Sequence, residues 1–312
     1  MNRKNIAFLF SGQGVQTVGM AKDLYENIEE CKAILDKSEK ILEMPLKKMM
    51  FEGPEELLKE TENAQPLILV ASVMALEALK INGIEAQSCA GLSLGEYAAL
   101  IYAGALNLND ALLLVKERGR IMGNALPKDL GKMAAILKLD DDKVQELIKR
   151  SSEFGIVEAA NYNCPRQVVI SGENRAIEEA TKIAKEFGGR GIELNVSGPF
   201  HSSLLKEASE EFYETIKDVN INKLEKTVYS NIKGDPYKDE DNIKELLKMH
   251  IRSTVYFEKS IRNMIENGVD TFIEVGPGKV LRGFVKKIDK NMKLLNVEDM
   301  KSLDITLKNF IN

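Results

Sequence analysis

The sequence predicts a mixed α/β protein in which a larger core carries a smaller inserted α+β subdomain. Two strand-like apolar runs end in glycine turns, at residues 6–14 and 88–95, and the second turn leads into an apolar helical pattern. From about residue 132 the strands become shorter and the helices more charged, and the pattern of the first 126 residues resumes after residue 197. A chain of 312 residues with 44% hydrophobic content can form one large domain with such an insertion.

The core is predicted from strand and helix patterns on both sides of the insertion. Hydrophobic periodicity predicts strands over residues 6–10, 88–90, 228–230 and 271–275, and helices over residues 18–37, 65–81, 96–104, 243–251 and 280–287. The first apolar run follows Arg3 and Lys4 but stops after five residues, 6–10, which indicates a strand rather than a signal peptide.

The insertion follows the order β-α-β-β-α-β, which is the ferredoxin-like split βαβ motif. Its strands are predicted over residues 133–137, 156–160, 167–171 and 191–196, and its helices over residues 140–152 and 174–187. We therefore expect residues 1–126 and 198–312 to form a discontinuous core and residues 127–197 to form the ferredoxin-like subdomain.

Composition argues against several classes of function. The net charge of −5 and the pI near 5.5 do not suit a nucleic-acid surface, which needs a basic excess. No stretch approaches the roughly 18 uncharged apolar residues that span a bilayer. Cys31, Cys89 and Cys164 are scattered, without the paired spacing of a zinc site. We expect a cytoplasmic monomer that has buried cysteines and binds no metal, cofactor, nucleic acid or membrane.

Residues 91–95 match the nucleophile pattern G-x-S-x-G. The flanking glycines permit a strained turn between strand and helix, which projects the hydroxyl of Ser93 from the edge of a sheet. The alternative is that Ser93 only caps the following helix. The strand-like run before the turn and the apolar helix after it favour a nucleophile.

A serine nucleophile needs a base, and histidine is the usual one near neutral pH. The chain has two histidines, His201 and His250. His201 lies in a loop with Gly198 and Pro199, which can hold a side chain at the mouth of a cleft, whereas His250 lies on an amphipathic helical pattern. We therefore predict His201 as the base, and a loop cap without chemistry is the alternative.

Residues 11–14, S-G-Q-G, directly follow the first strand, where glycines allow backbone amides to turn inward. This segment predicts an oxyanion hole or an anion-binding nest, and the amide of Leu94, next to the nucleophile, would supply a second donor. Without Ser93 it would be an ordinary tight turn. Its spacing is not that of a dinucleotide-binding or P-loop motif, so nucleotide binding is rejected.

Arg118 lies in an otherwise apolar helical pattern at residues 112–120. A guanidinium there can bind a carboxylate through two parallel hydrogen bonds, and it needs such a partner if it is desolvated. Judged from the helix alone, a solvated arginine that pairs with Glu117 is the alternative.

Five ordered motifs together resemble the malonyl-CoA:acyl carrier protein transacylase family of fatty acid synthesis, over nearly the whole chain. Residues 10–14 are similar to its F-P-G-Q-G opening, residues 91–97 to its G-H-S-L-G-E-Y elbow, and Arg118 to its substrate arginine. Residues 161–172 are similar to its N-x-N-x-x-x-Q-x-V-I-S-G signature, and residues 274–278 to its E-V-G-P-G turn.

The resemblance implies an α/β-hydrolase-like core and a ping-pong reaction. A malonyl group would move from malonyl-CoA to the phosphopantetheine thiol of acyl carrier protein. Ser93 would attack the thioester, His201 would take its proton, and the amides of Gln13 and Leu94 would hold the oxyanion. Arg118 would bind the free malonyl carboxylate.

The resemblance also implies finer roles. The main-chain carbonyl of His250, where relatives often carry Gln, would orient the base in place of an acidic residue, and Gln13 and Asn161 would contact substrate. Leu92 stands where the family usually has His, which removes a polar contact near the acyl pocket. Phe200 resembles the malonyl-selective branch of related polyketide acyltransferases, because a bulky ring would crowd a 2-methyl substituent.

Three other functions stay open at this point. A free-standing acyltransferase of a polyketide or polyunsaturated-lipid synthase would use the same chemistry with another carrier protein. An esterase or lipase would place an acidic residue and then a late histidine after the nucleophile, and would not need a cationic pocket residue. A carrier-protein-binding scaffold would require Ser93 and His201 to be coincidental.

Overall fold

The computed structural model describes residues 5–127 and 130–310. They form a mixed α/β structure with two separate sheets, one of five parallel strands and one of four antiparallel strands. Arg3 and Lys4 lie outside the described residues, as do residues 128 and 129 beside the predicted domain boundary.

The chain leaves the parallel sheet after its second strand, builds the antiparallel sheet, and then returns. The parallel sheet consists of β1 (Ile6–Phe10), β2 (Ser88–Gly91), β7 (Thr227–Tyr229), β8 (Thr271–Val275) and β9 (Lys293–Val297), in the order β7-β2-β1-β8-β9. The antiparallel sheet consists of β3 (Gly131–Leu137), β4 (Val157–Cys164), β5 (Gln167–Glu173) and β6 (Arg190–Glu193), in the order β4-β5-β3-β6.

Helices connect most of these strands. In chain order the α-helices of the described residues are α1 (Lys22–Asn27), α2 (Glu29–Leu42), α3 (Leu46–Glu52), α4 (Glu55–Lys59), α5 (Thr61–Ile81), α6 (Gly95–Tyr102), α7 (Leu108–Asn124), α8 (Asp141–Ser151), α9 (Asn174–Glu186), α10 (Lys206–Ile216), α11 (Ile243–His250), α12 (Phe257–Glu266), α13 (Val280–Ile288) and α14 (Met300–Lys308).

The central strand β1 is buried on both faces, as expected of a parallel sheet covered by helices. Phe8 and Phe10 belong to the larger core, which includes α5, α6 and α7, while Ala7 and Leu9 pack on the opposite face with residues of α12 and α13. Contrary to the expectation that no stretch approaches a membrane span, α5 is long and apolar enough to cross one by length and composition, because it tolerates a few polar and charged residues, but 83% of its most apolar window is buried inside the protein. It is the central helix of the larger core.

The antiparallel sheet has a hydrophobic core of its own, formed with α8 and α9. Alternate residues of β3, such as Ala134 and Ile136, face this core, while Met133 and Ala135 belong to the larger core. The smaller sheet therefore packs on helices with one face and on the rest of the molecule with the other.

Three turns lie side by side at the carboxyl edge of the parallel sheet. Phe10, the last residue of β1, is in register with Gly91 of β2 and with Val275 of β8. Because parallel strands end at the same edge, the turns that follow them meet there. These are residues 11–14, 92–94 and 276–278.

Most predicted elements are present, and the differences have local causes. The helix predicted over residues 18–37 is divided into α1 and α2, because Ile28 is extended, with φ −127° and ψ 115°. The strand predicted over residues 191–196 ends at Glu193, since the chain turns there toward the loop that carries His201. The edge strand β9 was not predicted, because its apolar run is short and bounded by charged residues.

We expect Gly119→Ala in α7 to lower the free energy of unfolding by about 1–3 kcal/mol, the usual cost of overpacking. A Cβ at Gly119 would lie 2.7 Å from the carbonyl oxygen of Thr61 in α5. The matched control is Gly283→Ala in α13, where a Cβ meets nothing within 4 Å. The control should raise stability by up to about 1 kcal/mol, because alanine favours helix. Urea unfolding of both variants checks this, and equal changes would contradict it.

Candidate active site

Ser93 lies at the turn between β2 and α6 with a left-handed backbone, φ 52°. Few non-glycine residues adopt this conformation, and in a strand-to-helix turn it exposes the hydroxyl above the sheet edge. The turn depends on its two glycines. An added Cβ on Gly91 would lie 1.9 Å from the carbonyl carbon of Gly95, and one on Gly95 would lie 2.1 Å from the carbonyl oxygen of Phe10.

The side chain of His201 contacts the Ser93 hydroxyl. Oγ of Ser93 and Nε2 of His201 are 2.8 Å apart, and Nδ1 on the other side of the ring lies 2.8 Å from the main-chain oxygen of His250. A carbonyl can only accept, so Nδ1 carries the proton and Nε2 is free to accept from the hydroxyl. The loop prediction for His201 and the geometry agree, and His250 is the buried last residue of α11.

The protonation state of His201 suits a base. Burial lowers its pKa well below the ordinary value of 6.5, and the neighbouring His250 and Arg118 lower the pKa further. The imidazole is therefore neutral at neutral pH, which is the form that can take a proton.

Arg118 of α7 points into the same site and is only 1% exposed. Its two terminal nitrogens donate to Oε1 of Gln65 at 2.9 Å and to Oγ of Ser93 at 3.1 Å. The guanidinium also lies 5.6 Å from the ring centre of Tyr97. Arg118 thus contacts the hydroxyl of Ser93 itself, and the alternative of a solvated arginine paired with Glu117 is wrong.

The charge of Arg118 has no anionic partner in the described part of the chain. Nε of Arg118 has no hydrogen-bond partner in the described residues, and burial lowers the pKa of the guanidinium. An arginine nevertheless stays charged at neutral pH, and a buried charge without a counter-ion is costly. The site therefore favours a ligand that brings a carboxylate to this position.

Gln13 and Leu94 present backbone amides at the two adjoining turns. An added Cβ on Gly12 would lie 2.5 Å from the carbonyl oxygen of Leu92, so the turns are in contact. Within the described residues neither the amide of Gln13 nor that of Leu94 donates a hydrogen bond. Ser11 fixes the first turn by donating to the carbonyl of Pro277 at 2.9 Å.

A cavity of about 230 Å³ opens beside Ser93. Its apolar lining residues include Leu92, Met133, Phe200, Val280 and Phe284. Its polar lining residues include Asn161, Asn163 and Gln167, and Oδ1 of Asn163 is buried without a hydrogen-bond partner in the described part of the chain. All the residues predicted for the site except His250 therefore line one cavity, and His250 lies directly behind it.

Sequence reasoning missed two residues that hold this arrangement. Asn231, just after β7, accepts a hydrogen bond from the amide of Ser93 at 2.8 Å and donates to the carbonyl of Gly91 at 2.7 Å. Gln65 of α5 holds Arg118. Neither lies in a recognisable motif, and both are brought to the site only by the packing of distant segments.

The cysteines do not take part in this site. All three are buried, and burial raises the pKa of Cys31 to about 12 and that of Cys164 to about 11. A thiol with such a pKa is a poor nucleophile at neutral pH. Among residues 5–127 and 130–310 there is no group of three His, Cys, Asp or Glu side chains suited to a metal ion.

Comparison with known proteins points to one family. The family model for the acyl transferase domain matches residues 7–306. The chain is 44% identical over 305 residues to the malonyl CoA-acyl carrier protein transacylase of Bacillus subtilis strain 168, covering 97% of this chain and 96% of that protein.

Solved structures give the same result. A malonyl CoA-acyl carrier protein transacylase from Clostridium perfringens has a TM-score of 0.96 and 48% identity, covering 98% of this chain and 97% of the other. A malonyl-transacylase in complex with a type II PKS acyl-carrier protein has a TM-score of 0.95 and 32% identity, covering 98% and 100%.

Phenylmethylsulfonyl fluoride should label Ser93, and we expect the rate of labelling to fall only when the pH drops well below 6.5. If neutral His201 is the base that activates the hydroxyl, its lowered pKa keeps the ring in that form throughout the range above 6.5. Labelling rates from pH 4.5 to 8 check this. The His250→Gln variant is the control, because loss of the neighbouring ring should move the midpoint upward. A wild-type midpoint at or above 6.5 would contradict this assignment.

Proposed function

Because the chain belongs to the acyl transferase family, we propose that it transfers a malonyl group from malonyl-CoA to the phosphopantetheine thiol of acyl carrier protein, supplying fatty acid elongation. One observation carries the substrate assignment. The buried guanidinium of Arg118 has no carboxylate partner in the described residues and lies 3.1 Å from Oγ of Ser93. An acyl group that ends in a carboxylate would pair with it while its thioester carbon meets the nucleophile.

The first half-reaction is proposed to form an ester on Ser93. Oγ attacks the thioester carbon while Nε2 of His201 takes the hydroxyl proton, and the carbonyl π electrons move onto oxygen. The amides of Gln13 and Leu94 hold that oxyanion, a contribution typically worth about 10²–10³ in rate for one donor. The C–S bond then breaks, and the proton on His201 goes to the departing coenzyme A thiolate.

The second half-reaction reverses these steps with a different thiol. His201 takes the proton of the phosphopantetheine thiol, sulfur attacks the ester carbon, and the Ser93 oxygen leaves and regains its proton. The main-chain carbonyl of His250 keeps the ring in the required tautomer throughout. No acidic third residue is needed, since this carbonyl accepts from Nδ1 at 2.8 Å. We propose that no cofactor is required either, because every step uses groups of the chain and its substrates.

Selectivity is proposed to come from a charged and an apolar residue of the cavity lining. Arg118 binds the malonyl carboxylate through two parallel hydrogen bonds, which a neutral acyl group cannot form. Phe200, which lines the cavity and is 6% exposed, crowds a substituent at carbon 2. The polar lining residues Gln13 and Asn161 contact the substrate.

We propose an α/β-hydrolase-like core, residues 1–126 and 198–312, with a ferredoxin-like subdomain at residues 127–197. The chain order β3-α8-β4-β5-α9-β6 and the antiparallel sheet order β4-β5-β3-β6 support the second assignment. We also propose that the enzyme is a cytoplasmic monomer that binds neither nucleic acid nor membrane, in keeping with its net charge of −5.

A second candidate function is loading the carrier protein of a polyketide synthase. It is favoured by one relative, the malonyl-transacylase that was solved with a type II PKS acyl-carrier protein. Both functions use the same chemistry at Ser93. Transfer rates measured with each carrier protein of the source cell would separate them.

We expect Ser93→Ala to abolish the covalent malonyl intermediate, because it removes the hydroxyl that lies 2.8 Å from Nε2 of His201. Wild type mixed with labelled malonyl-CoA and then denatured should carry one malonyl group on Ser93, detected by mass spectrometry. The control His250→Gln should still form it, since the carbonyl that orients His201 belongs to the main chain. A malonyl adduct on the Ser93→Ala protein would exclude this mechanism.

We expect Arg118→Ala to lower malonyl transfer by about 30-fold or more, because removing one member of a buried charge pair costs about 2–5 kcal/mol. Transfer of acetyl from acetyl-CoA should persist or rise, since acetyl has no carboxylate and the unpaired cation is gone. Arg118→Lys should not restore the malonyl rate fully, because an ammonium lacks the planar fork. If the transfer rates of malonyl and acetyl fall in equal proportion, Arg118 has a structural role and does not select malonyl.

A further inference from the structure

A buried carboxyl group lies directly behind the Ser93 turn and is not used by the mechanism above. Glu96, in the first turn of α6, is 1% exposed. Its Oε1 accepts from the hydroxyl of Tyr237 at 2.7 Å and from the amide of Asn231 at 3.2 Å. Its Oε2 lies 3.0 Å from Nδ1 of His250. Within the described residues no Lys or Arg side chain pairs with Glu96.

One contact of Glu96 leads to the nucleophile. By accepting from the amide of Asn231, Glu96 fixes the backbone of the residue whose side chain bonds the amide of Ser93 and the carbonyl of Gly91. These two bonds span the turn in which Ser93 is held at φ 52°. Such a conformation persists only where its surroundings impose it.

The other contact of Glu96 leads to the base. His250 supplies the carbonyl that accepts from His201, and the two imidazole rings are stacked with centroids 5.2 Å apart and an interplanar angle of 27°. The position of the His250 ring therefore bears directly on the ring of His201. Nδ1 of His250 and Oε2 of Glu96 are 3.0 Å apart but are not aligned as a hydrogen bond, so Glu96 contacts this ring by packing and electrostatics.

The protonation states of the neighbours suit donation toward Glu96. Burial raises the pKa of Tyr237 well above 10, so its hydroxyl keeps its proton, and burial lowers the pKa of His250, so its ring is neutral with one N–H. Two donors therefore bond Oε1 of Glu96, and the imidazole of His250 lies 3.0 Å from Oε2. A glutamine has one acceptor oxygen where the carboxylate has two, so it cannot present an oxygen to both sets of neighbours.

We propose that Glu96 is a positioning residue for both members of the Ser93 and His201 pair, acting on the serine turn through Asn231 and on the imidazole through His250. The inference rests on the proposed function, because it concerns the same reaction. Glu96 does not touch the reacting atoms. Its removal should misplace the nucleophile and the base relative to each other while the acyl-binding cavity keeps its shape.

The test compares Glu96→Gln with wild type in three measurements. Single-turnover formation of the malonyl ester on Ser93 should slow by about tenfold or more, because small misplacements of reacting groups are costly. The affinity for malonyl-CoA, measured on a Ser93→Ala background, should change by less than about threefold, because Arg118 is untouched. The control is Glu39→Gln in α2. Within residues 5–127 and 130–310 the carboxyl of Glu39 pairs only with Lys47, and Glu39 does not line the cavity, so this variant should change neither the rate of ester formation nor the affinity.

The third measurement is the NMR chemical shifts of the two imidazole rings. The chain contains only two histidines, so a protein labelled with ¹⁵N-histidine gives two sets of ring signals, and the His250→Gln variant assigns them. In Glu96→Gln the ring signals of both His250 and His201 should shift. A residue that only fills space would leave the His201 ring unchanged.

The outcomes separate this inference from the proposed function. If wild type forms no ester on Ser93, the proposed function fails whatever Glu96 does. If wild type forms the ester and Glu96→Gln forms it at the same rate with unchanged ring signals, only the positioning role is overturned. Should Glu96→Gln fail to fold, Tyr237→Phe removes one donor to the same carboxyl group. It should slow ester formation about two- to fivefold with normal affinity, and an unchanged rate would overturn the inference.

Discussion

The close approach of the Ser93 turn to β1 is the constraint on which the rest of the site depends. The Cβ that any other residue would place at Gly95 would lie 2.1 Å from the carbonyl oxygen of Phe10. This contact sets α6 against the end of the central strand and leaves Ser93 with a left-handed backbone. The amide of Leu94, the hydroxyl of Ser93 and the turn at residues 11–14 then meet at one edge of the sheet. The strain is balanced from outside the turn by Asn231.

The electrostatics of the site follow from burial around that edge. His201 and Arg118 are both desolvated, so the first stays neutral and the second stays charged without a counter-ion. A neutral imidazole beside an unpaired cation suits a substrate that supplies the missing negative charge. The carboxyl group of Glu96 lies next to His250 and forms no ion pair with Arg118. Under the positioning role proposed for Glu96, one carboxyl group would order the two histidines while the charge of Arg118 stays available to the substrate.

The sequence alone predicted site residues that lie in local motifs, but it did not predict the contacts between segments that are distant in the chain. The glycines around Ser93, the loop of His201 and the apolar setting of Arg118 have local signatures, and all of these residues meet in one place. Gln65, Asn231 and the contacts of Glu96 could not be predicted, because each depends on segments up to 141 residues apart in the chain. The break at Ile28 and the short edge strand β9 were missed, since neither interrupts or extends a hydrophobic pattern clearly.

The most direct test of the account is the structure of the enzyme after reaction with malonyl-CoA. The account predicts a malonyl ester on Oγ of Ser93, with the free carboxylate about 3 Å from both terminal nitrogens of Arg118. The hydrogen bond from Arg118 to Gln65 would then be broken, or one guanidinium nitrogen would donate to both Gln65 and the carboxylate. The ester carbonyl should face the amides of Gln13 and Leu94. A malonyl group whose carboxylate lies instead beside Asn161, with Arg118 bonded to Gln65 and not to the carboxylate, would contradict the account.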